Sequence, residues 1–296
     1  MIALSAVFLL SLLPVVFAAQ VISKPLGIVT SSTINDTSQF QIMTFNIRYG
    51  TALDGFNSWP FRRSLLAQVI NSYSPDILCL QEALQFQIDY ILEKSHRTYA
   101  AFGLGRESNL KGESTKILID PFVFKIVEET TYWLSDTPDV PGSKSYGNNL
   151  PRIATRATLV HKASGKSFVL TNTHLDHQSV EARIKGAEQI ANSSIYDRII
   201  VTGDFNNLNN NASEELKVME RNGFSDTYFE LYGTKPATYH EFTGNAERVL
   251  DAKIDYIWRK GNLKPISATI IRAKSPLNRY PSDHFPVICT FDLVIN

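Results

Sequence analysis

The chain has 296 residues, of which 44% are apolar and 11% aromatic, and it carries 29 basic and 29 acidic side chains. This composition is ordinary for a globular protein, and the length leaves room for a large buried core. The zero net charge argues against tight non-specific binding along nucleic acid, which usually needs a basic excess. It does not exclude a nuclease, because a local cleft with a bound metal can supply positive charge.

The N-terminal segment is predicted to be a secretion signal. Residues 1–19 carry no charge and are mostly apolar, and Ala18 suits cleavage by signal peptidase. The alternative is a signal anchor, because no basic residue precedes Lys24. The apolar run is marginal for crossing a core of ~30 Å, however, and Pro14 interrupts it. We therefore predict a signal peptide over 1–18 and a secreted protein.

The remainder of the chain is predicted to be a short linker followed by one domain. Residues 19–38 are Ser/Thr-rich and aperiodic, which indicates a flexible linker, and residues 39–296 form the single domain. No later apolar run is long enough to span a bilayer, so no stable membrane association is expected after signal cleavage. No obligate protein partner is evident.

The domain alternates between strand-like and helix-like segments. Runs rich in Val, Ile, Phe, Tyr and Thr predict strands at 40–47, 76–81, 98–103, 115–119, 122–134, 153–161, 166–174, 198–203, 254–258, 266–272 and 285–293. Apolar periodicity predicts helices at 61–73, 84–95, 179–193 and 213–222. One sheet does not easily hold eleven strands. The order predicts an α/β fold with two sheets packed face to face and helices on the outer faces.

Two cysteines, Cys79 and Cys289, lie in strongly apolar strand-like runs. They are expected to be buried thiols used as small apolar residues. The secretory compartment also permits a disulfide, and the sequence leaves that alternative open.

Polar side chains of the types that bind metals or transfer protons follow the apolar runs instead of interrupting them. Strand ends are where loops meet a rigid scaffold, and functional sites are commonly built there. Carboxylate and amide oxygens with few imidazoles suit a hard cation such as Mg²⁺ better than Zn²⁺. The residues in these places are Asn46, Glu82, His174, Asp204, Asn206, Asp255, Asp283 and His284.

Six motifs in chain order resemble the signatures of the endonuclease/exonuclease/phosphatase superfamily, whose members have the fold of DNase I. They are Met43-Thr44-Phe45-Asn46, Leu80-Gln81-Glu82, Asn172-Thr173-His174-Leu175, Gly203-Asp204-Phe205-Asn206, Ile254-Asp255-Tyr256-Ile257 and Ser282-Asp283-His284-Phe285-Pro286. The segments Asp54-Gly55, Asn57-Ser58-Trp59 and Trp133-Leu134-Ser135-Asp136 are similar to a mostly uncharacterised bacterial and fungal branch. The resemblance implies a four-layer sandwich of two mostly antiparallel β-sheets flanked by helices.

The resemblance also implies roles for these residues. Glu82, Asn46 and Asp283 would bind the metal, expected to be Mg²⁺ with Mn²⁺ as a substitute. Asp204 and Asn206 would position and deprotonate the attacking water. His284, oriented by Asp255, would donate to a phosphate oxygen or act as the general base. His174 would donate to the phosphate from the other side, with Glu113 orienting it.

A further set of polar residues is predicted to form the substrate wall. It consists of Arg48, Asn57, Trp59, Arg62, Glu113, Asn149 and Arg152. Trp59 would stack on a base or a sugar, or simply fill an apolar gap. Arg152 would hold a second phosphate or form an ordinary ion pair.

The sequence therefore predicts a secreted, metal-dependent hydrolase of phosphate esters. The first hypothesis is a nuclease acting on DNA or RNA. The alternative is a phosphatase or phosphodiesterase for small phosphorylated sugars, inositols or lipid headgroups. A catalytically inactive binding module is the alternative from another class, and it is disfavoured because no expected catalytic position is substituted.

Overall fold

Two six-stranded β-sheets form the centre of the structure, a computed structural model that describes residues 38–192, 196–207 and 213–293. The first sheet contains β1 (Gln39–Asn46), β2 (Ile77–Gln81), β3 (Ala100–Phe102), β4 (Ile117–Ile119), β11 (Lys264–Ile270) and β12 (Val287–Asp292). The second contains β5 (Phe124–Trp133), β6 (Ile153–His161), β7 (Ser167–His174), β8 (Arg198–Asp204), β9 (Ser225–Asp226) and β10 (Asp255–Gly261). The strand orders are β11-β12-β1-β2-β4-β3 and β5-β6-β7-β8-β10-β9.

Helices cover the outer face of each sheet. On the first sheet these are α1 (Trp59–Tyr73) and α2 (Gln85–Lys94), and on the second they are α3 (Val180–Asn192) and α4 (Glu214–Arg221). The short helix α5 (Thr227–Tyr232) packs against the cluster between the sheets, and α6 (Ala246–Val249) joins a separate small cluster. Leu66 of α1 and Ile88 of α2 share an apolar cluster with the first sheet. Ala187 of α3 and Met219 of α4 do the same with the second sheet. The four-layer α/β sandwich expected from the sequence is confirmed.

The alternation of side chains along β1 explains the layering. Phe40 and Ile42 point into the cluster shared by the two sheets, whereas Met43 and Phe45 join the cluster beneath α1 and α2. A strand that is buried on both faces must be apolar at consecutive positions, and residues 42–45 follow this pattern apart from a buried threonine.

Most strand pairs are antiparallel, but each sheet has a parallel pair at its centre. β1 is parallel to β2, and β7 is parallel to β8. Helix α1 lies between β1 and β2 in the chain, and α3 lies between β7 and β8, so each pair is a βαβ unit. The carboxyl ends of parallel strands meet at one edge of a sheet, which is where ligands bind in such folds.

The eleven strands and four helices predicted from periodicity are all present, with ends shifted by a few residues. The sequence did not predict β9, α5, α6 and a short 3-10 turn at Gly55–Asn57. Each of these is only two to six residues long. Periodicity cannot be read over so few positions.

The predicted signal peptide (1–18) lies outside the described residues, as does the predicted linker (19–38) except for Ser38. Among the residues that the structure describes, no helix has the length and apolar character needed to cross a bilayer. Cys79 and Cys289 are buried free thiols in the cluster between the sheets, which confirms the first of the two interpretations.

Candidate active site

The carboxyl ends of the four central strands converge at one end of the sandwich. Asn46 ends β1, and Glu82 directly follows β2. His174 ends β7, and Asp204 ends β8, with these two residues paired in register. Each sheet has a βαβ unit at its centre, and the two units present their polar side chains at the same end of the sandwich.

The remaining candidate residues reach this end through antiparallel neighbours. Asp255 opens β10 and pairs in register with Asp204. Asp283 and His284 lie in the loop before β12, which runs antiparallel to β1. The start of an antiparallel strand lies beside the end of its partner, so this loop returns the two side chains to Asn46.

Asn46 and Glu82 form the first half of the site. The Asn46 side-chain amide donates to Glu82 Oε1 at 3.0 Å and to Asp204 Oδ2 at 2.9 Å, so it bridges a carboxylate from each sheet. The Tyr49 backbone N–H donates to the second Glu82 oxygen at 2.7 Å. Asp283 Oδ2 lies 3.7 Å from Arg48 Nε.

Two histidines and two aspartates form the second half. His284 Nδ1 lies 2.9 Å from Asp255 Oδ2, which holds the ring and directs Nε2 toward Asp204 Oδ2 at 3.8 Å. His174 Nε2 lies 3.6 Å from that same oxygen. The backbone N–H of Asn206 donates to Asp204 Oδ1 at 2.9 Å, and its side chain donates to the Leu175 carbonyl. Asp204 is therefore enclosed by donors.

Burial and neighbouring charges raise the pKa values of Asp204 and His284 and lower the pKa of His174. Burial raises the pKa of Asp204 to about 7. Burial alone would lower the pKa of His284, but the charge and hydrogen bond of Asp255 outweigh it and raise that pKa to about 10. Burial, followed by the charges of Arg152 and Arg106, keeps the pKa of His174 well below its usual value. Environments that separate pKa values in this way are typical of acid–base chemistry.

Three residues at the site adopt left-handed backbone conformations. Arg48, Glu82 and Asn206 have φ angles of 58°, 57° and 48°. Each follows closely on a central strand, so the chain turns sharply there and the side chain is directed into the site. Such conformations cost on the order of 1 kcal/mol each, and they cluster at functional sites.

The site opens into a pocket of about 510 Å³. Six of the predicted catalytic and metal-binding residues line it, namely Glu82, His174, Asp204, Asn206, Asp283 and His284. Asn46 and Asp255 are buried behind it and bond to lining residues. Arg48, Glu113 and Arg152 line it as well, as expected for the substrate wall.

Trp59 and Arg62 do not reach this pocket. The Trp59 ring is buried between α1 and α2, where it packs edge-on against Phe86 and Tyr90. The Arg62 guanidinium is buried and donates to four backbone carbonyls, those of Ile47, Arg48, Asn57 and Pro281. A stacking platform at Trp59 and a substrate contact at Arg62 do not fit these placements. Of the alternatives for Trp59, the structure favours the filled apolar gap.

Asn57 and Asn149 also lie away from the pocket lining. Asn57 Oδ1 accepts from the exposed Arg279 side chain at 3.2 Å. Asn149 is exposed and donates to Gln178 at 2.7 Å. Both side chains contact other surface groups, and their role as substrate contacts stays a prediction.

The partners of Glu113 and Arg152 bear on the roles predicted for them. Glu113 accepts from Arg106 at 2.6 Å, so it faces an arginine and not the imidazole it was expected to orient. Arg152 donates to Asp176 at 3.2 Å and contacts His177 Nδ1 at 2.6 Å, which is the ion-pair alternative.

The lining residues that the sequence did not predict include Arg106, His177 and Tyr239. His177 follows His174 by three residues, and that proximity was an available signal. The Tyr239 ring lies 4.9 Å from the His284 ring, across a contact between distant loops, and Arg106 reaches the pocket through a hairpin closed by Glu113. Neither of these two has a local sequence signal.

Oxygen and nitrogen atoms at the site are close enough to hold a metal ion. One atom each from Asp204, Asp255 and His284 lie within 4.8 Å of one another. The donor set that the sequence predicted, with Asn46, Glu82 and Asp283, adjoins this group through the Asn46 amide.

A family model described as the endonuclease/exonuclease/phosphatase family matches residues 43–284. The chain belongs to this family, whose members are hydrolases that act on phosphoester bonds.

Solved structures and a curated relative resemble the chain over most of its length. An endonuclease/exonuclease/phosphatase structure from Bacteroides vulgatus has 29% identity and a TM-score of 0.77, covering 86% of this chain and 99% of that one. A mannosyl-6-phosphatase from Bacteroides thetaiotaomicron has 27% identity and a TM-score of 0.77, covering 85% and 99%. The CCR4-Not complex 3'-5'-exoribonuclease subunit Ccr4 of Candida albicans is 24% identical over 79% of this chain. The match spans 38% of that relative's own length.

Proposed function

We propose that this protein is a secreted, Mg²⁺-dependent phosphatase that acts on a small phosphorylated sugar or related ester. The observation that carries the phosphoesterase chemistry is the convergence of Glu82, Asp204, His174 and His284 on one pocket, with Asn46 joining the two halves. The uncharged apolar segment before residue 19 supports secretion.

The donor set fits a hard divalent cation. Glu82, Asn46 and Asp283 would hold it, because Mg²⁺ prefers carboxylate and amide oxygens. Burial raises the pKa of Asp283, and the nearby Glu82 carboxylate raises it further, so an ion at this place would relieve repulsion between the carboxylates. When bound, the cation neutralises charge on the phosphate and lowers the pKa of a water molecule.

The side chains of the second half would position the reacting groups. Asp204 is the candidate acceptor for the proton of the attacking water, since its carboxylate is fixed by Asn46 and by the N–H of Asn206. His284, held at Nδ1 by Asp255, would donate from Nε2 to a phosphate oxygen. His174 would donate from the opposite side. Phosphoryl transfer depends mainly on positioning and charge neutralisation, and this arrangement provides both.

Three observations support a small ester over a nucleic acid. The pocket volume of about 510 Å³ is in the range of sites for small ligands. Trp59 is buried, so the base-stacking surface expected for a nuclease is absent at that position. The mannosyl-6-phosphatase has a TM-score of 0.77, against 0.67 for a D. rerio TDP2 structure with a single-strand DNA product. These observations favour the second of the two functions weighed from the sequence.

A nuclease remains the second candidate because of the similarity to the Ccr4 exoribonuclease subunit. Arg48, Arg106 and Arg152 in the pocket are the side chains that would contact a nucleic-acid backbone.

The test is a substrate panel with the purified protein and Mg²⁺. Mannose 6-phosphate, other sugar phosphates and single-stranded DNA and RNA oligonucleotides would be compared, with Asp204→Ala as the inactive control. We expect release of inorganic phosphate from a sugar phosphate, loss of activity with EDTA, and no shortening of the oligonucleotides. Shortened oligonucleotides without phosphate release from sugars would establish the nuclease instead. Full activity of Asp204→Ala would refute the site.

A further inference from the structure

Exposed apolar side chains border the mouth of the pocket. Leu53, Phe56 and Phe61 lie in and just after the loop that follows β1, and Leu277 lies in the turn at 275–279 before β12. Their side chains are among the most exposed large apolar groups of the described residues, with 77% exposure for Phe56 and 83% for Leu277. We refer to these four residues as the rim patch.

The two segments of the rim patch are in direct contact. The guanidinium of Arg279 donates to the Phe56 carbonyl and lies 6.0 Å from the centre of the Phe56 ring. The Phe56 and Phe61 rings are 6.3 Å apart. Ala52, next to Leu53, lines the pocket. The rim patch is therefore one surface beside the pocket mouth.

The rim patch contributes little to the stability of the fold, because its side chains lie outside every apolar cluster of the described residues. Clustered exposed apolar groups mark surfaces that interact with other molecules. The buried Trp59, which belongs to the cluster beneath α1 and α2, already connects this region to the core.

The two segments that carry the rim patch contain more cations than anions. In segments 51–64 and 272–279 the exposed charged side chains outside ion pairs are Arg63, Lys274 and Arg279. The single acidic residue of these segments, Asp54, is paired with Arg48. Arg272 is paired with Glu247. The net charge of these two segments is thus positive, although the whole chain is neutral.

We propose that the rim patch docks the protein reversibly onto an anionic lipid bilayer, with the pocket mouth at the membrane surface. Apolar tips enter the boundary between headgroups and acyl chains, and surrounding cations are attracted to anionic headgroups. The two leucines favour a bilayer over a glycan, because aliphatic tips insert into acyl chains and offer no ring to stack on a sugar. Docking of this kind is weak and reversible, so it is compatible with the expectation from sequence that the chain makes no stable membrane association after signal cleavage.

The test measures co-sedimentation of the purified chain with vesicles of phosphatidylcholine, with and without phosphatidylglycerol. Phe56→Asp and Leu277→Asp remove one apolar tip from each segment, and Lys274→Glu reverses one cation. Phe122→Asp is the matched control: Phe122 is 77% exposed, like Phe56, but it follows β4 at the opposite end of the sandwich. All variants share the same N-terminus, so differences among them report the rim patch.

We expect the parent chain and Phe122→Asp to bind vesicles that contain phosphatidylglycerol, and to bind them less at high salt. Phe56→Asp and Leu277→Asp should lower the partition coefficient by about tenfold or more, and Lys274→Glu should lower it by several-fold. Hydrolysis of a small ester in solution should be unchanged in Phe56→Asp and Leu277→Asp. Equal binding of Phe56→Asp and Phe122→Asp would refute the proposal. It would also be refuted if the parent showed no vesicle binding but formed a dimer that Phe56→Asp abolished, because the occupant would then be a second copy.

Discussion

His284 and Asp255 illustrate how single residues determine the chemistry of the pocket. A ring nitrogen of His284 is held at 2.9 Å by a carboxylate that is itself fixed in β10. The other ring nitrogen then has only one direction to face, toward Asp204. Orientation by a buried carboxylate is a general way to set the tautomer of a functional histidine.

Replacing this carboxylate should affect turnover more than binding. We expect Asp255→Asn to lower kcat by about 100-fold with little change in KM, because the amide keeps the volume but does not hold the imidazole in the same protonation state. Steady-state kinetics on the active sugar phosphate measure this effect, and a thermal melt checks the fold. An unchanged kcat would show that the hydrogen bond between His284 and Asp255 does not contribute to catalysis.

Arg62 is expected to serve the fold and not the substrate. Its guanidinium joins the backbone of the loop after β1 to that of the loop before β12, so Arg62→Met would leave several buried carbonyls without their donor. We predict a loss of about 3 kcal/mol in the free energy of unfolding, measured with denaturant. The neighbouring exposed Arg63 is a matched control, and Arg63→Met should change stability by about 0.5 kcal/mol or less. Equal effects of the two variants would contradict this assignment.

At the scale of elements, a buried polar contact joins the two central βαβ units. Gln81 at the end of β2 donates to Asn172 of β7 at 2.7 Å, and Asn172 in turn donates to the carbonyls of Leu80 and Lys116. Thr202 of β8 donates to the same Asn172 oxygen. This contact crosses between the sheets directly beneath Glu82 and His174, so it fixes the separation of the two halves of the site.

Loss of this contact should affect both stability and activity. We expect Asn172→Ala to lower the free energy of unfolding by about 3 kcal/mol, because buried donors and acceptors lose their partners. A decrease in kcat should accompany it in variants that still fold. Gln41→Ala on β1 removes a long 3.4 Å side-chain bond to Thr290 and is the comparison expected to change little. Wild-type stability of Asn172→Ala would contradict the proposed role.

At the scale of the whole molecule, the free energy of unfolding should depend on pH through a histidine that is buried far from the pocket. His161 ends β6, packs against the rings of Phe40 and Phe124, and contacts Ser164. Burial lowers the pKa of His161 below its usual value. The unfolded chain, with an ordinary histidine pKa of about 6.5, therefore binds a proton more readily than the folded chain.

Stability should consequently fall as the pH drops below about 6.5, and the part due to His161 should vanish in His161→Phe. Unfolding of both proteins in denaturant at neutral and acidic pH measures the difference. The variant should lose less stability on acidification than the parent does. If both lost the same amount, the buried imidazole would not contribute.

Much of the fold follows from local sequence patterns. Runs of β-branched and aromatic residues identify eleven of the twelve strands, because these residue types suit the pleated, partly buried surface of a sheet. The polar residues that end β1, β2, β7 and β8 were assigned to one site because their motifs resemble a known family and because sites are commonly built at strand ends. Resemblance to known motifs supplied the expected roles.

Tertiary packing decided much of the pocket wall, because only Arg48, Glu113 and Arg152 of the residues predicted for it line the pocket. Trp59 and Arg62 carry the same local signals as residues that contact substrate, yet α2 covers the Trp59 ring and carbonyls from distant loops surround the Arg62 guanidinium. Arg106 and Tyr239 became pocket residues because a hairpin and a remote loop close over the site. Burial and exposure depend on which segments meet in space, and these contacts join residues far apart in the chain. For that reason the sequence alone determined the elements and the end of the sandwich that carries the candidate site, and the three-dimensional packing determined what lines its pocket.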